Sequence, residues 1–320
     1  MKKLYMAVLC SMGLCASIPA QAGWLSSLFD WNEARTKHPI VLVPGIFAFD
    51  SIAGVDYWYR IPAALEAEGA TVFVPEINAF ESSVMRGESL IAQLEEIRAA
   101  SGGKITRFNL IGHSQGGMTS RYVMNARPDL VASVTTAHTP HQGSPLADIV
   151  TQVAPEDTLQ GVTFELLANA VGDLVNLLSG YNGDQSNIYA MLGEFNQPGA
   201  AAFNQQFPAG LPATACGEGA SQVRLNGQDI RLYSWSGTAT ITSVVDPSDA
   251  MFAITGLAFT EANDGVTGRC SSHFGDVIKD NYTMNHIDVN NHVLGLVSLF
   301  ETSPETLFRN HANRLKRAGL

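Results

Sequence analysis

One stretch constrains this chain more than any other. Gly112-His-Ser-Gln-Gly116 is a G-x-S-x-G pattern, preceded by the apolar run Phe108-Asn-Leu-Ile111 and followed by a helix-like segment at 118–126. A serine hydroxyl is a weak nucleophile until a base takes its proton, and it must project where base and substrate both reach it. A sharp strand-to-helix turn does this but crowds the neighbours of Ser114, so glycines stand two residues away on either side. The following helix would aim its N-terminal N–H groups at the serine, a favourable place for developing negative charge.

Around this elbow the pattern alternates. Short apolar strands are expected at 38–45, 71–74, 108–111 and 131–136, with helices at 57–69, 86–100 and 118–126. Strands alternating with helices imply right-handed crossovers and a mostly parallel sheet, an α/β class. Later strands are expected at 230–236 and 241–245, and an irregular stretch at 182–210, which is rich in Gly, Asn, Gln and Ala. Residues 154–181 carry a broad apolar face (Phe164, Leu167, Val171, Leu174, Leu178) on a helix poor in charge. It reads either as a core-facing helix or as a lid that turns its apolar face toward lipid.

With 320 residues and 46% hydrophobic content the chain can bury a sizeable core, and no repeat or linker divides it. The formal charge of −11 argues against a nucleic-acid partner and against a basic membrane-surface patch. No stretch after the N-terminus reads as a transmembrane helix. Lys2-Lys3, an apolar run from Leu4 to Ile18, and Ala20-Gln-Ala22 together form a secretory signal peptide over 1–22, which leaves 23–320 as a single domain. Neither Cys10 nor Cys15 follows a small residue, which argues against a lipoprotein anchor. Cys216 and Cys270 remain, in an oxidising compartment, and are expected to pair.

A serine hydrolase of this class carries its acid and then its histidine after the serine in chain order. His286 stands in a polar loop, Tyr282-Thr-Met-Asn-His-Ile-Asp288, late enough to be the base. His138 and His141 come too early and read as structural, whereas His311 reads as a solvated helix residue. For the acid, the Asn263-Asp-Gly265 turn favours Asp264, with Asp246, Asp249 and Asp276 as competitors.

The chain resembles the secreted, foldase-dependent bacterial triacylglycerol lipases of the Pseudomonas and Burkholderia type. The resemblance is carried by Gly54-Val-Asp-Tyr-Trp58, Arg86-Gly-Glu88, Asn109-Leu-Ile-Gly-His-Ser-Gln-Gly116, Ala215-Cys-Gly-Glu-Gly219, Tyr233-Ser-Trp-Ser-Gly237, Asp246-Pro-Ser-Asp249, Ala262-Asn-Asp-Gly265, Met284-Asn-His-Ile-Asp288 and Phe300-Glu-Thr-Ser-Pro304. It implies an α/β-hydrolase fold with a helical lid at about 154–181, the triad Ser114, Asp264 and His286, and a Cys216–Cys270 disulfide. It also implies oxyanion donors in the backbone N–H groups of Ile46 and Gln115. One structural Ca²⁺ is implied, bound by the Asp246 and Asp288 side chains and the His292 and Leu296 carbonyls, a hard oxygen-only set. The implied partners are an ester substrate at an oil–water interface and a periplasmic lipase-specific foldase, and the implied location is extracellular. The sequence departs from the family in reading Pro44-Gly-Ile-Phe-Ala-Phe-Asp50 where relatives carry a histidine before the glycine, and in placing His292 where glutamine is common. A carboxylesterase or polyester hydrolase would use the same triad, and a silent hydrolase fold that binds lipid is the reading from a different class.

Overall fold

A computed structural model describes residues 32–46, 56–151 and 191–320. The proposed signal peptide at 1–22 and lid at 154–181 lie outside the described residues.

Among the described residues seven strands form one sheet: β1 (Ile40–Val43), β2 (Val72–Phe73), β3 (Phe108–His113), β4 (Val131–Ala137), β5 (Gln222–Leu225), β6 (Gln228–Gly237) and β7 (Asp276–Tyr282). Their order is β2-β1-β3-β4-β6-β5, with β7 also paired to β6. All neighbours are parallel except the β5–β6 pair. β6 serves three partners by dividing one edge: β5 takes residues 228–231, and β7 takes the stretch from Tyr233 to Gly237.

The strands that read as near-continuous apolar runs are buried on both faces, as parallel strands between helical layers must be. On one face Ile40, Leu42, Ile111 and Trp235 pack with helix α1 (Ile61–Glu66) and the C-terminal helix, through Ile61, Leu65, Leu307 and Phe308. On the other face Val41, Val43, Leu110, Val134 and Leu232 pack with α2 (Ser83–Ala100) and α3 (Gln115–Ala126) through Leu90, Leu94, Val123 and Met124. Further helices are α4 (Pro145–Val150), α5 (Gln197–Gln206), α6 (Asp249–Thr255) and α7 (Pro304–Arg317). The chain moves from β2 across β1 to β3, so the strand order reverses between β1 and β3. A crevice at the carboxyl ends of the strands is expected at such a switch point.

Three expectations fail. Residues 241–245 form no strand: Ile241, Val244 and Val245 are exposed, and both stretches of β6's free edge are already taken by β5 and β7. Residues 197–206 are helical, not irregular. Asn196 caps the helix by accepting the Gly199 N–H, and a proline sits in its first turn. His311 is fully buried, not solvated. It lies on the apolar stripe of α7 with Leu307, Phe308 and Leu315, its Nε2 lies 2.8 Å from Thr135 Oγ1, and its ring meets Trp235 edge-on. The expected Cys216–Cys270 disulfide is present.

Candidate active site

Ser114 sits between β3 and α3 with φ 54° and ψ −125°, a strained positive-φ conformation that costs of order 1–3 kcal/mol and persists only where its surroundings enforce it. The flanking glycines make the turn possible. A Cβ on Gly112 would lie 2.2 Å from Gly116 O, and one on Gly116 would lie 2.1 Å from Val43 O. Both glycines are therefore required by backbone contact, and Gly116 presses the first turn of α3 against the end of β1.

Ser114 Oγ is 2.9 Å from His286 Nε2, and His286 Nδ1 is 2.9 Å from Asp264 Oδ2. His286 comes from the loop after β7 and Asp264 from the loop after α6. Their backbones are joined as well, since the His286 N–H donates to Asp264 O at 3.0 Å. Asp264 Oδ1 accepts the Val266 and Thr267 N–H groups. Burial alone would raise the Asp264 carboxyl pKa, but electrostatic interaction with the His286 ring and hydrogen bonds from His138 and His286 outweigh it and hold the group well below the usual carboxylate range. The carboxylate therefore stays ionised and acts only as an acceptor, which fixes the proton of neutral His286 on Nδ1 and leaves Nε2 free to take the serine proton.

Of the competing acids, Asp249 is occupied elsewhere. It accepts the Thr242 and Ser243 N–H groups and the Asn285 side-chain amide. Asp276 lies at the start of β7, at its other end from His286. Sequence order could not reveal His138: its Nδ1 also reaches Asp264 Oδ2, at 2.7 Å. His141 is structural, contacting Thr136 Oγ1 and Arg121 Nη1.

The Pro44–Ile46 backbone runs directly beside the serine, and a Cβ on Gly45 would lie 2.8 Å from Ser114 Cβ. Two buried side chains hold it there. Arg86 donates to the Pro44 carbonyl and to Asn78 O, and also reaches Gly45 O and Thr119 Oγ1. Tyr57 Oη accepts the Gly45 N–H at 2.8 Å and contacts His113 Nδ1, while His113 Nε2 lies 2.8 Å from His286 O. A carbonyl only accepts, so His113 Nε2 carries the proton and Nδ1 accepts from the Tyr57 hydroxyl. Burial, reinforced by the nearby His286 and His138, keeps His113 well below its usual pKa and therefore neutral. This ordered relay ties the loop before Ile46 to the loop of His286. Ile46 and Gln115 flank Ser114 in sequence or space, and among the described residues no acceptor engages the Ile46 N–H. Next to Ser114 lies an apolar pocket lined by Ile46, Leu146, Val150, Leu192, Phe195 and Val266.

The four residues assigned to calcium fit a hard cation. Asp246 and Asp288 are buried, and among the described residues Asp246 Oδ2 has no hydrogen-bond partner. Burial, together with the neighbouring charges of Asp246 and Asp249, pushes the Asp288 carboxyl up to about 7. Ionised, these two buried carboxylates would lack a counter-charge, which a bound cation would supply. Among the described residues no donor is directed at the His292 or Leu296 carbonyl. The His292 ring packs against Tyr57, with centroids 5.3 Å apart.

The model of the alpha/beta hydrolase fold family matches residues 38–224. The chain is 49% identical over 294 residues to a triacylglycerol lipase of Vibrio cholerae, with 92% of each chain covered. It is 39% identical to a triacylglycerol lipase of Burkholderia plantarii, covering 90% of this chain and 88% of that one. Among solved structures, a metagenomic carboxyl esterase superposes with a TM-score of 0.59 at 15% identity, over 88% of this chain and 76% of that chain, which shows a shared fold.

Proposed function

The chain belongs to the triacylglycerol lipases of the α/β-hydrolase fold, and from that premise we propose that Ser114, His286 and Asp264 carry its ester hydrolysis. The observation that supports this reading is the unbroken run of contacts from Ser114 Oγ through the His286 ring to Asp264 Oδ2, each 2.9 Å long.

In this mechanism Ser114 Oγ attacks the ester carbonyl carbon as its proton passes to His286 Nε2. Asp264 stays ionised and stabilises the imidazolium through Nδ1–H. Oxyanion charge develops beside the N–H groups of Ile46 and Gln115, and losing one such donor costs roughly 10²–10³ in kcat. The intermediate collapses when His286 returns the proton to the departing glycerol oxygen. Water then attacks the acyl-enzyme with His286 again as base, and Ser114 is regenerated as the fatty acid leaves.

Asp246 and Asp288, with the carbonyls of His292 and Leu296, would hold one Ca²⁺. When bound, the ion would neutralise two buried carboxylates and join the loop after β6 to the loop of His286. The proposal extends to export, with 1–22 as a cleaved signal, an extracellular destination, and a periplasmic foldase as folding partner. Its support is the Lys2-Lys3, apolar and Ala20-Gln-Ala22 pattern together with the family resemblance. Among the described residues no helix is long and apolar enough to cross a membrane.

The test is Ser114→Ala, assayed on emulsified triolein and on soluble p-nitrophenyl esters. Activity should vanish on both while the circular-dichroism melt is retained, and an active-site phosphonate should label the parent alone. More than trace turnover by the clean variant would overturn the mechanism.

A further inference from the structure

Resting on that triad reading, we propose that His138 is a positioning residue for the reaction, a second histidine that donates to the catalytic acid. Its Nδ1 lies 2.7 Å from Asp264 Oδ2, the same oxygen that His286 Nδ1 reaches at 2.9 Å.

Asp264 is ionised and can only accept, so His138 carries its proton on Nδ1 and donates it. Oδ2 thus accepts two imidazole N–H groups while Oδ1 accepts the N–H groups of Val266 and Thr267. All four acceptor directions of the carboxylate are filled, and it cannot rotate without breaking a buried hydrogen bond.

The backbone shows that the ring is held for this contact. His138 follows β4 with φ 52°, a region that bulky side chains rarely adopt and that glycine or asparagine enters more easily. Its N–H donates to Trp235 O at 3.0 Å and its carbonyl accepts the Thr267 hydroxyl at 3.0 Å, so main-chain bonds alone would secure the turn. The side chain is fully buried, and its other nitrogen, Nε2, has no hydrogen-bond partner among the described residues. Among the described residues, the only hydrogen bond the ring makes is the one to the acid. Burial lowers its pKa despite the neighbouring carboxylate, so it serves as a neutral donor.

During turnover the proton taken from Ser114 resides on His286 and must not pass on to Asp264. A neutral N–H on Oδ2 lowers that oxygen's proton affinity and holds it within hydrogen-bond reach of His286 Nδ1. His138 does not line the pocket beside Ser114, so this influence reaches the reacting atoms through Asp264 and not through substrate binding.

The experiment compares His138→Gly, which suits the backbone and removes the donor, with His138→Asn, which suits the backbone and keeps an amide N–H. His138→Ala supplies a second donor-free variant should the glycine variant fold poorly. For each full-length variant, kcat and KM on a soluble p-nitrophenyl ester are normalised to folded protein from the melting curve. The donor-free variants should lose roughly 10- to 100-fold in kcat, as expected for losing one hydrogen bond to a charged group, with KM within about twofold, and Asn should recover most of that loss. Adding His138→Gly to Asp264→Asn should cost little more, because the bond's acceptor is already altered. Unchanged kcat in the donor-free variants, or an Asn variant as slow as the glycine variant, would overturn the proposal. Full activity of Asp264→Asn alone would instead overturn the triad reading, so the two failures are separable.

Discussion

Removing the Tyr57 hydroxyl tests whether the relay between the two site loops bears on stability and rate. In Tyr57→Phe the ring stays, with its contacts to Trp58 and His292, and only an oxygen is lost. Two buried groups then lose their partner, the Gly45 N–H and His113 Nδ1. Each unsatisfied buried group costs about 1–3 kcal/mol, so the variant should be destabilised by about 2–6 kcal/mol. The compact unit from Asn32 to Leu320 holds roughly 290 residues, for which the unfolding entropy is about 0.6 kcal/mol per degree. The melting temperature should therefore fall by about 3–10 °C. Activity should fall as well, because Gly45 precedes Ile46 and the freed backbone would blur the oxyanion donor by fractions of an ångström. A 1 Å misplacement can cost about 10²-fold. The assay is a thermal melt together with kcat on a soluble ester, measured well below both midpoints. A midpoint within about 1 °C of the parent, with kcat unchanged, would refute the reasoning. Burial pushes the Tyr57 phenol up from its ordinary pKa, so the relay should stay intact across the alkaline range that the assay uses.

Two further outcomes are expected. Chelation should lower the midpoint: for a native-state ligand at about a hundred times its Kd the loss is about 2.7 kcal/mol, or roughly 4–5 °C for a unit of this size. Asp246→Ala and Asp288→Ala should each reproduce that shift and make EDTA nearly without effect, whereas an unchanged melt in protein shown to be metal-free would remove the calcium assignment. In acid, Asp264 should contribute stability because its folded pKa is depressed. That contribution is fully present above the unfolded value near pH 4 and is lost as pH falls toward the folded value. Melts of the parent between pH 5 and pH 2 should fall more steeply than those of Asp264→Asn, and parallel curves would contradict the pairing.

The elbow was legible because steric necessity wrote it into the sequence: only glycine fits at Gly112 and Gly116, where backbone atoms lie within van der Waals contact. The central strands were legible because burial on both faces leaves them continuously apolar. The edges were not. β7 carries Asp276, Lys279, Asp280 and Asn281, and its residues are mostly half-buried. β5 is short and alternates between exposed and half-buried positions. A turn signal was nevertheless present, since Asn226 and Gly227 both have positive φ, the signature of a tight hairpin between β5 and β6. Residues 241–245 misled because β-branched composition reports the preference for a strand and not the availability of an unpaired edge. His138 was hidden for a different reason. Chain order excludes it as the base, but nothing in order or composition shows that a residue 126 positions before Asp264 shares its carboxylate.

The loop of His286 explains why so much of the site is polar and buried. It has two apolar anchors, Met284 and Val289, and between and beyond them the restraint is hydrogen bonding. Asn285 Oδ1 accepts the Ile287 and Asp288 N–H groups while its amide donates to Asp249. Asn290 and Asn291 donate to the Tyr57 and Tyr59 carbonyls, and His113 holds the His286 carbonyl. Side-chain amides here do the work that a helix or a ladder does elsewhere, and each is a buried group whose loss leaves a partner unsatisfied. The same accounting separates the aspartates. Both oxygens of Asp249 are committed to Thr242, Ser243 and Asn285. On Asp246, Oδ1 is committed to Ser248, whereas Oδ2 has no hydrogen-bond partner among the described residues. A cation entering this cluster can bind Asp246 without breaking a bond, but would have to compete for Asp249. The accounting favours Asp246 for the proposed ion, whereas Asp288, whose Oδ2 accepts the Asn285 N–H, is assigned by the family resemblance, and Asp249→Asn should leave the ion's affinity largely intact while loosening Asn285.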